Sequence, residues 1–218
     1  MIFRWDIMFK SLPILGQGLI MTLQLTIISV FIGIILGTIF GLMRVSKNKV
    51  LYIISSAYVD FFRGTPLLVQ IFLVYMGLPQ LLGFPLDRFP AAIAALALNS
   101  GAYFAEIVRG GIQSIDKGQW EAARSVGMNY SQMMRYIILP QAFKKIIPPL
   151  GNEFIAMLKD SSLVAVISLE ELLRKGQLII TRTFRPFEIY LAVAILYLIL
   201  TTLISRFVSY TERRLDID

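Results

Sequence analysis

Between Leu12 and Met43 the chain carries no charged side chain. A run of that length closes off most architectures. A bilayer core requires about 20 consecutive apolar residues for each helical crossing, and a helix satisfies all of its own backbone there. Further apolar blocks follow, separated by short polar or proline-bearing segments. Hydrophobic residues make up 56% of the 218 and charged residues only 16%, far from the balance of a soluble domain. The prediction is an all-α membrane protein, a single transmembrane domain over residues 1–218 with five transmembrane helices.

The punctuation between the blocks sets their limits. The first crossing is expected from Leu12 to Met43, with Gly33, Gly37 and Gly41 spaced to let a second helix approach one face. Arg4 and Lys10 before it resemble the start of a signal peptide, but the apolar stretch is too long and no small-residue cleavage site follows, so a retained helix is expected. After the basic loop Arg44, Lys47, Lys49, the segment from Val50 to Leu82 exceeds one crossing and is interrupted by Arg63-Gly64-Thr65-Pro66. Proline lacks a backbone donor and clashes with the preceding turn. An interfacial helix to about Phe62, a break, and a second crossing from Pro66 are therefore expected, with Asp60 and Arg63 as a structural pair near the headgroups.

The third crossing is expected from Pro90 to Val108, with Asn99-Ser100-Gly101 at its middle. Residues 109–145 read as a polar, basic, helical segment. The fourth crossing is expected from Ile146 to Ile167. Ser168-Leu169-Glu170-Glu171 reads as a capping box opening a short interfacial helix to about Ile180, and the fifth crossing runs from Phe187 to Val208. Trp5, Tyr52, Tyr58, Tyr75 and Tyr103 are taken as interface or packing residues.

Five crossings put the termini on opposite sides. One side carries Arg44, Lys47, Lys49, Arg109, Lys117, Arg124, Arg135, Lys144, Lys145, Arg206, Arg213 and Arg214; the other carries Arg4, Lys10, Arg88, Arg174, Lys175, Arg182 and Arg185. Twelve against seven makes the first side cytoplasmic. The N-terminus is then outside, the C-terminus cytoplasmic, and the 109–145 segment inside. The net charge of +7 follows this orientation pattern, with no basic run interleaved with stacking aromatics that would call for nucleic acid. Without Cys or His, disulfides, zinc–thiolate sites and imidazole chemistry are excluded, and no metal site is expected.

Within the cytoplasmic segment, Glu121-Ala122-Ala123 is followed by three residues, Gly127, nine residues, Ile137, one residue and Leu139-Pro140. This spacing matches, position for position, the motif of ABC-importer permease subunits, where it forms a cytoplasmic coupling helix that docks into the ATPase. Physically, Glu121 would complement the positive end of a helix, the two alanines favour helix and leave a shallow surface, Gly127 permits a turn or a close approach, and Pro140 is expected to force a boundary before the fourth crossing. The stretches Tyr58-Val59-Asp60-Phe61-Phe62-Arg63-Gly64-Thr65-Pro66-Leu67-Leu68-Val69-Gln70, Ala97-Leu98-Asn99-Ser100-Gly101-Ala102-Tyr103 and Lys159-Asp160-Ser161-Ser162-Leu163 resemble permeases of the polar amino-acid uptake family. That resemblance implies a prokaryotic cytoplasmic-membrane importer built from two permease chains, identical or not, with two ABC ATPase subunits and an extracytoplasmic amino-acid-binding protein. ATP and Mg would be bound by the ATPase, with no cofactor in this chain. No GxxxxGK[ST] phosphate loop occurs here, so ATP hydrolysis is assigned to another polypeptide and this chain is read as non-catalytic.

Glu153, Lys159 and Asp160 interrupt the fourth apolar block. A charge at the bilayer centre costs about 2.5–3.5 kcal/mol even on the lenient insertion scale, so these groups should face a partner helix or a cavity. Glu153 and Asp160 lie seven residues apart, on one helix face, with Lys159 rotated about 100° from Asp160. If Lys159 neutralises one carboxylate, one negative charge remains for a cationic substrate group, which points to arginine, lysine or histidine. A helix break at Lys159-Asp160-Ser161-Ser162 would free amides for the substrate carboxylate. Gln70, Asn99 and Ser100 are candidate secondary contacts. The structural alternatives are a Lys159–Asp160 pair, a capping role for Asp160, a water-touching Glu153 near the inner interface, and interhelical hydrogen bonding by Asn99 and Gln70. Two other functions are open to such a chain: an ion-coupled secondary amino-acid carrier, for which no convincing internal repeat is visible, and a membrane enzyme or channel.

Overall fold

The computed structural model describes residues 3–214; residues 1–2 and 215–218, the two ends of the expected single domain, lie outside the described residues. Among the described residues the chain is helical with connecting turns and no strand. Helix α1 spans Trp5–Val45 and α2 spans Lys49–Gly64. Helix α3 covers Leu67–Leu82, α4 Arg88–Gln113, α5 Lys117–Ser125 and α6 Tyr130–Met133. A widened π turn, Met134–Ile138, leads into α7, Leu139–Asp160, which tightens into a 3₁₀ helix, Ser161–Ile167. Helix α8, Leu172–Thr183, and α9, Pro186–Arg214, complete the fold.

The glycine repeat on α1 is a packing device, as its spacing predicted. A Cβ at Gly37 would stand 2.9 Å from the amide nitrogen of Ala105, and one at Gly41 would stand 2.8 Å from the Ala105 carbonyl. Helices α1 and α4 therefore meet backbone to backbone along one seam. Around that seam Leu25, Ile71, Ala92, Ala95, Leu96, Phe104, Met157 and Val164 form the main core, drawn from α1, α3, α4, α7 and the 3₁₀ turn. Outward-facing residues of α9 such as Leu198, Leu203 and Phe207 are exposed, as lipid-facing side chains would be.

Helices α2 and α3 bend through 106° within the expected Arg63-Gly64-Thr65-Pro66 interruption, α2 running on to Gly64 rather than ending at about Phe62. A buried bracket holds this bend. The Gln70 amide donates to the carbonyls of Phe62 (2.8 Å) and Thr65 (3.0 Å) and to the Thr65 hydroxyl (2.9 Å). Asn99 of α4 donates to Gln70 Oε1 at 2.9 Å and to the Phe62 carbonyl at 3.3 Å. Carbonyls left unpaired at the end of α2 are thus satisfied by side chains.

Three helices, α1, α4 and α9, are long and apolar enough to cross a membrane, and the α2–α3 pair adds a fourth if its two bent halves are taken together as one span. The expected fourth crossing is not among them. Helix α7 carries Lys144, Lys145, Glu153, Lys159 and Asp160, and its α-helical part ends at Asp160.

Three local expectations need correction. Pro140 does not break the chain: the helix widens into the π turn just before Leu139-Pro140 and continues. The same happens at Leu78-Pro79, after the π turn Leu73–Gly77. In both places the proline ring would meet a tyrosine carbonyl four residues back, Tyr75 or Tyr136, and the wider turn relieves the clash. Ser168 does not cap α8; it sits in the left-handed region at φ 60°. Glu171 is the cap, accepting from the amides of Leu173 (2.9 Å) and Arg174 (2.7 Å). Tertiary contacts decide that register: Tyr197 of α9 donates to the buried Glu171 at 3.0 Å, and Thr22 of α1 accepts from the Leu172 amide at 3.2 Å. Finally, Asp60 and Arg63 are not paired with each other; Asp60 lies 3.9 Å from Arg44, and Arg63 lies 3.4 Å from Glu106.

Candidate coupling surface and substrate cleft

Helix α5 is a short ledge between α4 and α7. Its N-cap is Asp116, whose carboxylate accepts from the Gly118 amide at 2.7 Å. Glu121 therefore lies a turn into the helix rather than at its start, and Asp116 is the residue that meets the positive end of the dipole. At the other end Gly127 adopts φ +79°, its amide bonds to the Arg124 carbonyl (2.9 Å), and the Met128 amide reaches the Ala123 carbonyl (3.1 Å). This is a Schellman stop, in which the left-handed residue is almost always glycine. Asn129 and Gln132 then form a reciprocal capping box that starts α6.

One face of the ledge is anchored and the other is free. Ala123 is buried, and Trp120 packs against the cluster formed by Val108, Ile112, Ile115, Ile138, Ala142 and Ile146 while stacking on Tyr130 at 6.3 Å. Gln141 of α7 donates to Gln119 at 3.3 Å, and Lys145 of α7 donates to the Ser114 carbonyl at 3.0 Å. Glu121, Ala122, Arg124, Ser125 and Val126 are exposed, Val126 to 74%. The ledge is therefore tied to the first turns of α7 and presents small, polar and apolar side chains outward.

The predicted substrate residues do not form one cluster. Gln70 and Asn99 belong to the buried bracket at the α2–α3 bend. Ser100 is buried in the α1–α4 seam, 3.5 Å from the Ser29 and Ala97 carbonyls. Ser161 is buried, donating to the Leu158 carbonyl at 2.8 Å, and Ser162 is half-buried. Lys159 and Asp160 are exposed and form no ion pair among the described residues. No helix N-terminus opens at 159–162: the Ser161 amide is taken by the Lys159 and Met157 carbonyls as the α-helix passes directly into the 3₁₀ turn. Glu153 stands apart from the others. It is half-buried and lines a cleft of about 550 Å³ with Arg63, Tyr103, Glu106, Lys145 and Pro149.

Residues 29–217 match the family of binding-protein-dependent transport system inner membrane components. The chain belongs to this family. The arginine transport system permease protein ArtQ of Bacillus subtilis is 42% identical, with 94% of each chain covered. The glutamine transport system permease protein GlnP of Escherichia coli K12 is 38% identical over 99% of each chain. A crystal structure of an amino acid ABC transporter with histidines superposes with a TM-score of 0.94 at 47% identity, covering 98% of this chain and all of that one. The chain is thus a multi-pass permease of the bacterial inner membrane and a non-catalytic transmembrane subunit, not an ion-coupled carrier.

One charged cluster in the permease escaped the sequence reading. Glu106 of α4 accepts from Arg44 of α1 at 2.6 Å and from Arg109 at 2.8 and 2.9 Å, with Arg63 of α2 at 3.4 Å. Three helices converge on one carboxylate. The Glu106–Arg109 spacing was a visible local signal, whereas Arg44 and Arg63 arrive only through tertiary packing.

Proposed function

We propose that this permease is the membrane subunit of an ATP-driven importer for polar amino acids with a preference for cationic ones, in which α5 takes the thrust of a partner ATPase. The observation that carries this reading is mechanical. The exposed Glu121–Ala122 surface and the Gly127 stop sit on a ledge bonded to α7, and α7 carries Glu153 into the cleft. A push on the ledge therefore moves the cleft wall. Five crossings, formed by α1, the bent α2–α3 pair, α4, α7 and α9, would place the N-terminus outside and the ledge in the cytoplasm beside two ATPase subunits, which would hold ATP and Mg. A second permease chain, identical or not, would cover the charged face of α7 where Lys159 and Asp160 are exposed, since lipid would leave those charges unsolvated. An extracytoplasmic binding protein would deliver the amino acid.

Substrate class rests on chemistry and likeness together. The relatives serve arginine and glutamine, another serves L-cystine in Bacillus subtilis, and the matched structure was solved with histidines. Within that range the half-buried carboxylate of Glu153 favours a cationic group, with Asp160, Lys159, Ser161 and Ser162 further along α7 and its 3₁₀ extension. Gln70, Asn99 and Ser100 act behind them by fixing the bend and the seam.

The test is reconstitution of the chain with its ATPase and binding protein. Glu121→Ala should insert and fold normally, and Gly127→Val, strained at φ +79°, should still insert while distorting the ledge. In both, uptake should fall roughly tenfold or more, equivalent to about 1.4 kcal/mol of coupling, with ATP hydrolysis continuing. Unchanged uptake in both variants rejects the role of the ledge. Competition among labelled arginine, histidine, glutamine and glutamate tests the cationic preference.

A further inference from the structure

We propose that Arg63 receives the α-carboxylate of the transported amino acid, across the same cleft in which Glu153 faces its cationic group. The inference rests on the importer reading above and supplies a partner that reading lacks. The backbone amides at 159–162, the sequence's candidate for the carboxylate, are consumed in the continuous turn from α7 into the 3₁₀ helix. The carboxylate needs another donor, and the cleft is lined by two cations, Arg63 and Lys145.

Lys145 is committed to the Ser114 carbonyl at 3.0 Å. Arg63 is not committed in that way. Of the three guanidiniums around Glu106, Arg44 and Arg109 make the short bonds, at 2.6 and 2.8 Å, and their side chains are 13% and 31% exposed. Arg63 stands at 3.4 Å and is 42% exposed. Glu106 is satisfied without it. A guanidinium has five donors in a planar fork matched to a carboxylate, and one long contact leaves most of them unused. The guanidinium carbon lies over the Tyr103 ring, 5.3 Å from its centroid, and both side chains line the cleft. Its backbone is equally well fixed: Arg63 is in the last turn of α2, next to the bend that Gln70 and Asn99 brace. An arginine and a glutamate on separate helices, lining one cleft, present opposite charges to a zwitterion. Their positions are set by different elements, α2 and α7, so movement of α7 changes their separation.

The decisive comparison is between a substrate and the same molecule without its carboxylate. Equilibrium binding to the solubilised permease–ATPase complex, free of binding protein, would be measured for arginine and for agmatine. Arg63→Gln should weaken arginine by about tenfold to a hundredfold, the range for a lost charge-assisted hydrogen bond, and leave agmatine unchanged or tighter. Arg63→Lys should restore part of the arginine affinity, and Lys145→Gln should lower neither. Equal losses for arginine and agmatine in Arg63→Gln, or no loss for either, overturn the assignment. If the wild-type complex prefers glutamine, the cationic preference fails separately. The same comparison of glutamine with 4-aminobutanamide then still reads the role of Arg63.

Discussion

Two polar places in this permease look alike as sequence and differ as structure. At the α2–α3 bend, Gln70 and Asn99 are buried to within a few per cent; Asn99 donates to Gln70, and both donate to acceptors at the end of α2. On α7, Glu153 lines an open cleft and Lys159 and Asp160 face outward, with no ion pair among the described residues. Polar groups in a membrane protein either satisfy one another or wait for something else. Satisfied groups hold backbone, and their removal should be felt as stability. Unsatisfied groups on a cleft are available to a ligand, and their removal should be felt as selectivity. Substitutions at the two places separate these readings.

The largest effect is expected at the bracket. Gln70→Leu keeps the volume but removes the donor to the Phe62 and Thr65 carbonyls and the acceptor for Asn99. Leaving buried partners unpaired costs about 1–3 kcal/mol for each group, so a loss of roughly 3 kcal/mol is expected, read as a lower unfolding midpoint of the purified complex whichever amino acid is present. A variant with wild-type stability and an altered substrate profile would reverse the assignment and return Gln70 to the substrate.

At the cleft the pattern should invert. Glu153→Gln is nearly isosteric and removes a half-buried charge, so thermal stability should hold or rise. Uptake of arginine relative to glutamine should fall about tenfold, which corresponds to 1.4 kcal/mol of differential binding. Cationic preference that survives undiminished sinks the charge argument for Glu153.

The contrast also shows what the sequence could reveal. The bend at Gly64-Thr65-Pro66, the glycine seam on α1 and the Gly127 stop were legible because glycine and proline act on their own backbone within a few residues. Less legible was anything needing a second element. Ser168-Leu169-Glu170-Glu171 offers two capping registers, and Thr22 and Tyr197, distant in sequence, select the one led by Glu171. The serines after Asp160 suit either a break or a 3₁₀ turn, and burial of Ser161 against Leu158 goes with the turn. Sequence alone marked Gln70, Asn99 and Glu153 as polar in apolar surroundings; only the fold shows that the first two are each other's partners.

The smallest effect should come from a pair that is satisfied yet solvated. Glu170 bonds Lys175 at 2.6 Å, with its side chain 53% exposed. The Lys175 hydrogen bond, then its charge, hold the Glu170 carboxyl below its ordinary range. A carboxyl depressed by folding adds stability at pH values above its unfolded pKa of about 4.3, and that stability is lost as pH falls through the folded value. Because the pair is exposed and screened, the contribution should be no more than a few tenths of a kcal/mol. Glu170→Gln should therefore barely move the unfolding midpoint at pH 7 and should abolish only a slight softening on acidification. Its neighbour Glu171 is fully buried and caps α8, so Glu171→Ala should cost about 1–2 kcal/mol under the same conditions. Equal effects at the two adjacent glutamates would mean that satisfaction, not burial, sets the energetic weight of polar groups in this permease, and the division drawn between bracket and cleft would have to be redrawn on that basis.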